Sequence, residues 1–203
     1  MKRLLAGMLL VLAPCVAQWD APLVSRVVAL GSDGRTVAPG SMIVITGDSL
    51  ALTSASSEGT LAETLAGVKV EVAQGAVVRP VLLASVTPKR IVGLLPMGLT
   101  GTTGEVRFTH SLGMGKNSLR LAATAPAVSS YTETNGGRAI VWHADGSPAN
   151  ETDAPLVPGE EAILRVYGLG ELKPSPSRDV LAKVEARVGS VAVEVTGAEA
   201  SAT

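Results

Sequence analysis

Polar and apolar residues alternate in several short segments of this chain, which is the pattern of β-strands with one buried face. Residues 68–72 read Val-Lys-Val-Glu-Val, and residues 191–195 read Val-Ala-Val-Glu-Val. Successive side chains of a strand point to opposite faces, so a period of two places these valines on one face. Residues 106–109 and 119–121 follow the same alternation. These four segments predict strands with one face in a core.

Three further segments are continuously apolar, and they predict strands that are buried on both faces. They are residues 43–45, 81–83 and 91–95. Clusters of Gly, Pro, Ser and Asn separate the apolar segments, as turns separate the strands of an all-β protein. The chain therefore reads as a series of short strands.

Residues 179–188 fit two structures. Their second half, residues 184–188, alternates apolar and charged positions as a strand does. The positions that also share the spacing of one helix face are Val180, Leu181, Val184 and Val188. Gly189 follows and could end a helix. We favour the strand and keep the helix as the alternative.

A Pro-Gly pair followed by a β-rich run occurs twice, at residues 39–40 and again 119 residues later at residues 158–159. The alternating strand at residues 68–72 follows the first pair, and a similar segment at residues 184–188 follows the second. Repetition of whole groups of elements is typical of duplicated modules. The repeat predicts two related β modules in tandem.

The first Pro-Gly pair lies within residues 37–50, which are similar to the opening of IPT/TIG domains, immunoglobulin-like folds shared with plexins and certain transcription factors. More narrowly, the order of segments resembles the paired C-terminal modules of secreted proteins of soil Acidobacteria, the Solibacter type. That order is carried by residues 65–70, 80–83, 91–96, 125–128, 137–146 with Asn150, 158–159 and 168–170. The resemblance covers about residues 26–197. Its motif positions are turn and core residues, which imply a fold and no chemistry.

The resemblance and the repeat together predict two immunoglobulin-like β-sandwiches, a first module at residues 26–125 and a second at residues 126–203. The family's second module continues beyond the region of Gly197 with a further loop and closing strands, so we expect the second module here to be incomplete. An incomplete sandwich exposes sheet edges, which favour association. We therefore expect either a fragment or a module that completes its sheet against another chain or by self-association.

The first 17 residues predict a secretory signal peptide. Lys2 and Arg3 precede an apolar run at residues 4–16, and the small residue Ala17 follows. The run is shorter than the roughly 20 residues that a membrane span needs. We predict cleavage after Ala17, a linker at residues 18–25, and a secreted, periplasmic or cell-surface protein with no membrane span after cleavage. An uncleaved anchor is the less favoured alternative.

Charge and cysteine content exclude several classes of function. The 203 residues carry 17 Lys and Arg against 18 Asp and Glu, a net charge of −1, and neither sign forms a long block. This balance indicates no nucleic-acid partner. Cys15 is the one cysteine, so the chain forms no internal disulfide, and with two histidines it lacks the ligands of a structural zinc site. Pro14 disfavours lipidation of Cys15. We predict no metal and no cofactor.

Candidate catalytic residues lie near His143. Asp145 and Ser147 follow it closely, and a Ser-His-Asp hydrolase needs these residue types. Asp145 begins a turn, however, and the sequence contains no Gly-x-Ser-x-Gly nucleophile motif. His110 is expected to be a solvated residue at the end of a strand. We predict that the chain is not an enzyme, with a hydrolase as an unfavoured alternative.

Oxygen-bearing side chains are densest in the segment after His143. They are Asp145, Asn150, Glu151 and Asp153. Calcium prefers such ligands, but their spacing matches no EF-hand loop. We interpret this cluster as a solvated linker.

Aromatic residues make up only 2% of the chain, and Trp142 and Tyr131 are the two near the predicted module boundary. They are weak candidates for stacking on a ligand such as a sugar, although burial at the boundary is favoured. The predicted function is a non-enzymatic secreted or cell-surface module for adhesion, protein interaction or presentation. A carbohydrate-binding accessory module is the alternative, so the expected partner is an extracellular protein or a glycan.

Overall fold

The computed structural model describes residues 22–32, 34–111, 113–130 and 137–200. All regular structure in these ranges is β-strand, which confirms the predicted all-β class. The predicted signal peptide lies outside the described residues. The first strand begins at Leu23, so it includes the last three residues of the predicted linker.

The first eleven strands are β1 (Leu23–Ala29), β2 (Thr36–Val37), β3 (Met42–Asp48), β4 (Ala55–Ser56), β5 (Thr64–Leu65), β6 (Val68–Gln74), β7 (Val77–Pro80), β8 (Leu82–Thr87), β9 (Arg90–Leu94), β10 (Thr103–His110) and β11 (Gly113–Leu121). The later strands are β12 (Ala127–Val128), β13 (Val141–His143), β14 (Ala162–Leu164), β15 (Val166–Tyr167), β16 (Ala186–Val188) and β17 (Val191–Val193). In the described ranges, no helix is long and apolar enough to cross a membrane.

Strands β1 to β11 form two sheets that face each other, and we call residues 22–125 the first sandwich. One sheet has the order β1-β3-β9-β8-β4, and the other has the order β2-β11-β10-β6-β5 with β7 also paired to β6. Alternation sets the buried face as predicted, since Val68, Val70 and Val72 of β6 are fully buried while Lys69 is exposed.

The core between the two sheets is almost wholly aliphatic. Ile43 and Ile45 of β3 and Ile91 of β9 are fully buried, as the continuously apolar segments predict. Phe108 of β10 is the one phenylalanine of the chain, and it is also fully buried. Each such side chain contributes about 1.5–3 kcal/mol by leaving water. The first sandwich therefore has a closed core of its own.

Residues 126–200, which we call the C-terminal unit, are built differently. Their strands form three separate two-stranded sheets, β12 with β15, β13 with β14, and β16 with β17. Among the described residues of this unit, Ala127 and Val180 are the buried apolar residues, and Ala127 belongs to the core of the first sandwich. The C-terminal unit therefore has no comparable core in its described part.

Residues 179–188, for which strand and helix compete in sequence, contain no helix in the structure. Strand β16 covers the last three of them. Asp179 and Val180 take part in isolated bridges to Glu199 and Leu172. The apolar residues of this range belong to short segments that pair separately, so their helical spacing does not reflect one helix face.

The structure gives the sequence repeat a geometric counterpart. Gly40 and Gly159 both have a positive φ, 73° and 87°, in the turn that precedes β3 and β14. Strand β3 pairs antiparallel with β1, and β14 pairs antiparallel with β13. Strand β6 and strand β16 each continue into a hairpin, with β7 and β17. In the first sandwich β9 also lies beside β3 and β10 beside β6, whereas β14 and β16 each have one partner in the described part of the chain.

A close backbone approach joins the C-terminal unit to the first sandwich. The amide of Ala125 donates to the carbonyl oxygen of Gly168, at 2.8 Å. A Cβ atom on Gly168 would lie 2.4 Å from the oxygen of Ala125, and one on Gly170 would lie 2.3 Å from that of Ala123. Glycine is therefore required at both positions, and the C-terminal unit is anchored at this point.

Candidate functional site

His143, the first sequence candidate, lies at the end of β13 and holds the loop that connects β13 to β14. Its Nδ1 atom donates to Oε1 of Glu160, and its Nε2 atom donates to the carbonyl oxygen of Ala154 at 3.2 Å. Oε2 of Glu160 in turn accepts from the amide of Val157. Both ring nitrogens of His143 are therefore engaged within the loop.

The electrostatics of His143 and Glu160 follow from these contacts. The hydrogen bond to Glu160 raises the pKa of His143, and the bond to the Ala154 carbonyl adds to it. The same bond from His143 lowers the pKa of Glu160. A carboxylate and a carbonyl both accept, so together they favour the imidazolium, which has two N–H donors.

The hydrolytic set considered from sequence is not assembled. The hydroxyl of Ser147 donates to Oδ1 of Asp145 at 2.7 Å, and so does the Ser147 amide at 2.8 Å. These bonds lower the pKa of Asp145. A general base must reach the hydroxyl that it activates, and His143 is bonded to Glu160 and Ala154 instead. The three residues therefore form a turn and a loop contact.

The oxygen-rich segment forms a turn around Asn150. Its Oδ1 atom accepts from the amides of Thr152 and Asp153, at 2.9 and 2.6 Å. Glu151 pairs with Arg138 at 3.0 Å. Within the described ranges, no three His, Cys, Asp or Glu residues are placed to hold a metal ion.

The expectation that His110 is solvated is wrong. His110 ends β10, where it is buried, and its Nε2 atom lies 2.8 Å from the carbonyl oxygen of Ser49. Its ring also packs at 5.3 Å from the ring of Phe108. Ser49 lies in the turn after β3 with a φ of 55°, so this turn contacts the end of β10 through its backbone carbonyl. His110 is a core residue that bonds a backbone carbonyl.

Of the two stacking candidates, Tyr131 lies outside the described residues. Trp142 is half-buried in the middle of β13, opposite Ile163 of β14. The guanidinium of Arg165 lies 5.5 Å from the centre of the Trp142 ring, a cation–π distance. One face of the Trp142 ring is thus occupied by a side chain of the same unit. This contact reduces the ring surface on which a sugar could stack.

An open apolar groove of about 310 Å³ lies on the first sandwich beside β8 and β9. It is lined by Gly40, Arg79, Pro80, Leu82, Leu94, Leu95, Pro96 and Met97. Arg79 is the one charged residue of this lining, which contains no hydroxyl, imidazole or carboxylate side chain. The groove can therefore hold an apolar segment, but it offers no nucleophile or general base.

The hairpin of β16 and β17 has an aliphatic face. Sequence alternation predicts this face but does not predict that it is exposed. The register pairs Ala186 with Val193 and Val188 with Val191, so these four side chains share one face. Val188 and Val191 are 71% and 65% exposed. Gly189, with a φ of 62°, begins the two-residue turn between the strands. The hairpin therefore turns valines toward solvent.

The opposite side of the same hairpin is charged. Arg187 lies on it, opposite the small side chain of Ala192. Lys183 and Glu185 precede Arg187 at intervals of two, and their side chains form an ion pair at 2.8 Å. That pair lowers the pKa of Glu185. All three charged side chains are exposed.

Among the residues that the structure describes, exposed large apolar side chains are concentrated in the C-terminal unit. Those of the first sandwich are Leu23, Leu52, Val77, Val78 and Met114. Those of the C-terminal unit are Val128, Leu156, Val157, Ile163, Leu164, Leu181, Val188, Val191 and Val193. They are spread over all three two-stranded sheets and the segments between them, and six of the nine lie on strands. On the β16–β17 hairpin, Val188, Val191 and Val193 share one face, and exposed apolar side chains grouped in this way mark interaction sites.

Comparison with known proteins identifies no family. No family profile matches the chain, and no curated protein matches it. An auxiliary nutrient binding protein from Bacteroides thetaiotaomicron VPI-5482 is similar at 8% identity and a TM-score of 0.32, over 55% of this chain and 23% of that one. Another from Bacteroides ovatus ATCC 8483 is similar at 11% identity and a TM-score of 0.30, over 64% and 28%. This chain thus spans about a quarter of each protein, and a likeness this low carries no argument about function.

Proposed function

We propose that this chain is a non-enzymatic extracellular module that binds other polypeptides through its C-terminal unit. The observation that carries the proposal is the contrast between the two parts of the chain. The first sandwich packs most of its aliphatic residues in one core, whereas the described residues of the C-terminal unit leave nine large aliphatic side chains exposed, six of them on paired strands. Extracellular placement rests on the predicted signal peptide.

The arrangement of polar residues supports binding in preference to catalysis. His143 is bonded to Glu160 and Ala154, and Ser147 to Asp145, so each is satisfied by loop contacts. Within the described residues β16 pairs with β17 alone, so its other edge offers backbone groups to an added strand, a common mode of polypeptide recognition. The first sandwich, anchored through Gly168, would then present this surface.

The test uses two adjacent residues of β17 that lie on opposite faces. The purified chain and the variants Val191→Glu and Ala192→Glu are applied to arrays of extracellular proteins and of glycans. We expect protein binding that Val191→Glu reduces at least about tenfold, because a glutamate on the aliphatic face must be desolvated on binding. Ala192→Glu should retain binding, because residue 192 lies on the other face, opposite Arg187. Equal binding by both variants would overturn the proposal.

The glycan array tests the alternative function, which is carbohydrate binding. Binding confined to glycans, and lost in Trp142→Ala, would replace the proposal by a carbohydrate-binding function. Binding confined to proteins and unaffected by Trp142→Ala is the result that the proposal expects.

A further inference from the structure

We propose that a second copy of this chain binds the free edge of β16, in an antiparallel pairing about a two-fold axis at Ala186. The inference rests on the proposed function, since it names one occupant of the C-terminal surface. It is carried by the geometry of the β16–β17 hairpin and by the order of charges along residues 183–187.

The outer edge of β16 is open in the described part of the chain, because β16 and β17 form a sheet of two strands. Residues of an antiparallel pair alternate between those that bond the partner strand and those whose backbone groups point away. Val188 and Val191 flank the two-residue turn and form a hydrogen-bonded pair. The N–H and C=O groups of Arg187 therefore point outward, to the free edge.

Glu185 directly precedes β16 and lies two residues before Arg187. The ion pair between Lys183 and Glu185 is typical of an extended chain, in which side chains two residues apart share a face. We infer that the alternation of β16 continues to Glu185, so that its backbone groups point to the free edge as those of Arg187 do. Residues 185 and 187 are thus the two positions at which an added strand would bond.

A two-fold axis at Ala186 matches these positions in charge and in hydrogen bonding. It places Glu185 opposite the partner's Arg187, and Arg187 opposite the partner's Glu185. Each such pair exchanges two N–H···O bonds, because both residues point outward. Opposite charges directly across a sheet stabilise the pairing, and like charges destabilise it. The order Glu-Ala-Arg is therefore self-complementary.

The same axis is favourable for the neighbouring residues. Val184 lies opposite the partner's Val188, on the aliphatic face, and Lys183 lies opposite the partner's Gly189, so no like charges meet. The four strands then form one sheet with a continuous aliphatic face. A two-stranded hairpin is marginally stable alone, and three or more strands with an apolar face are needed for independent stability.

The first sandwich contains the equivalent arrangement within one chain. Strand β6, the counterpart of β16 in the repeat, has β7 on one edge and β10 on the other. The register of β10 places Arg107 opposite Glu71, a residue of the charged face of β6. An antiparallel strand with an opposite charge across the pair is thus what covers this edge in the complete sandwich.

The test exploits the self-complementary charges. The purified chain is studied by sedimentation equilibrium with the variants Glu185→Arg and Arg187→Glu, each alone and in an equimolar mixture. Each variant alone places like charges opposite each other twice, so we expect dimerisation at least about tenfold weaker than in the unchanged chain. The mixture pairs two arginines with two glutamates, so we expect a heterodimer about as stable as the original dimer.

Two controls complete the experiment. The variant Glu58→Arg makes the same change of charge in an exposed loop of the first sandwich, and we expect it to dimerise like the unchanged chain. The double variant Glu185→Arg with Arg187→Glu reverses both charges, so opposite charges again face each other. We expect it to dimerise like the unchanged chain as well.

Two results would overturn the inference. The first is that the unchanged chain stays monomeric at the highest concentration reached. The second is that mixing the two single variants does not restore dimerisation. If the chain is monomeric but its binding to another protein still depends on Val191, the inference fails and the proposed function stands.

Discussion

Nδ1 of His143 donates to Oε1 of Glu160, and this contact joins the two ends of the loop between β13 and β14. The other ring nitrogen donates to the carbonyl of Ala154, in the middle of the same loop. One histidine thus fixes a segment of 18 residues between two short strands, from residue 144 to residue 161. Its role in the structure is to order the loop.

This contact predicts that order in the loop depends on pH. The pKa of His143 is raised in the folded chain. Its contribution to the stability of the loop is therefore complete below the ordinary histidine pKa of about 6.5, and it is lost as pH rises through the raised value. The pKa of Glu160 is lowered in the folded chain. Its contribution to the stability of the loop is therefore present above the ordinary glutamate pKa of about 4.3, and it is lost as pH falls through the lowered value. We expect amides of residues 150–160 to be better protected from hydrogen exchange at pH about 5.5 than at about 8, after correction for intrinsic rates.

The variant Glu160→Gln is the control for the pH effect. It keeps a hydrogen-bond acceptor but removes the charge that favours the imidazolium, so most of the difference between the two pH values should disappear. Unchanged pH dependence in Glu160→Gln would assign the effect to another group.

The aliphatic core predicts a large effect at its single phenylalanine. Phe108 is fully buried between the sheets, so Phe108→Ala should lower the free energy of unfolding by about 3–5 kcal/mol in chemical denaturation. Met114, on the neighbouring strand, is 77% exposed, and Met114→Ala should change it by less than about 0.5 kcal/mol. Similar effects of the two substitutions would contradict the core described above.

The anchor of the C-terminal unit can be tested with two glycines of similar φ. Gly168 and Gly159 have φ values of 73° and 87°, but only a Cβ on Gly168 would meet neighbouring atoms, the oxygen of Ala125 among them. We expect Gly159→Ala to cost about 1 kcal/mol for the backbone conformation alone, and Gly168→Ala clearly more. Limited proteolysis should cut near residue 168 faster in Gly168→Ala, and equal rates in both variants would contradict the anchor.

The sequence predicts most of the first sandwich because its strands bury one or two faces, and burial imposes a period that can be read directly. Residues 68–72 are an example, since their valines are all buried in β6. The same reading places residues 191–195 in a strand, and the structure has β17 there, yet its valines are exposed. Alternation reports that a strand has an apolar face, and it carries no information about what covers that face.

The site residues were less predictable, because their partners are distant in sequence. His143 was identified as a candidate, but Glu160 lies 17 residues away and carries no motif. His110 was expected in solvent because no local pattern shows that the turn at Ser49 contacts it. The signal peptide and the resemblance to IPT/TIG domains stay predictions.

Amide hydrogen exchange of the dilute, monomeric chain tests most directly whether the C-terminal unit is an open surface. We predict strong protection in β3, β6 and β10, whose edges are paired on both sides, and exchange at least about a hundredfold faster in β16 and β17, which open locally. Protection of residues 185 and 187 should then rise when the chain is concentrated. Protection of β16 and β17 equal to that of β6 in the dilute monomer would contradict the account, because it would mean that these strands are already covered.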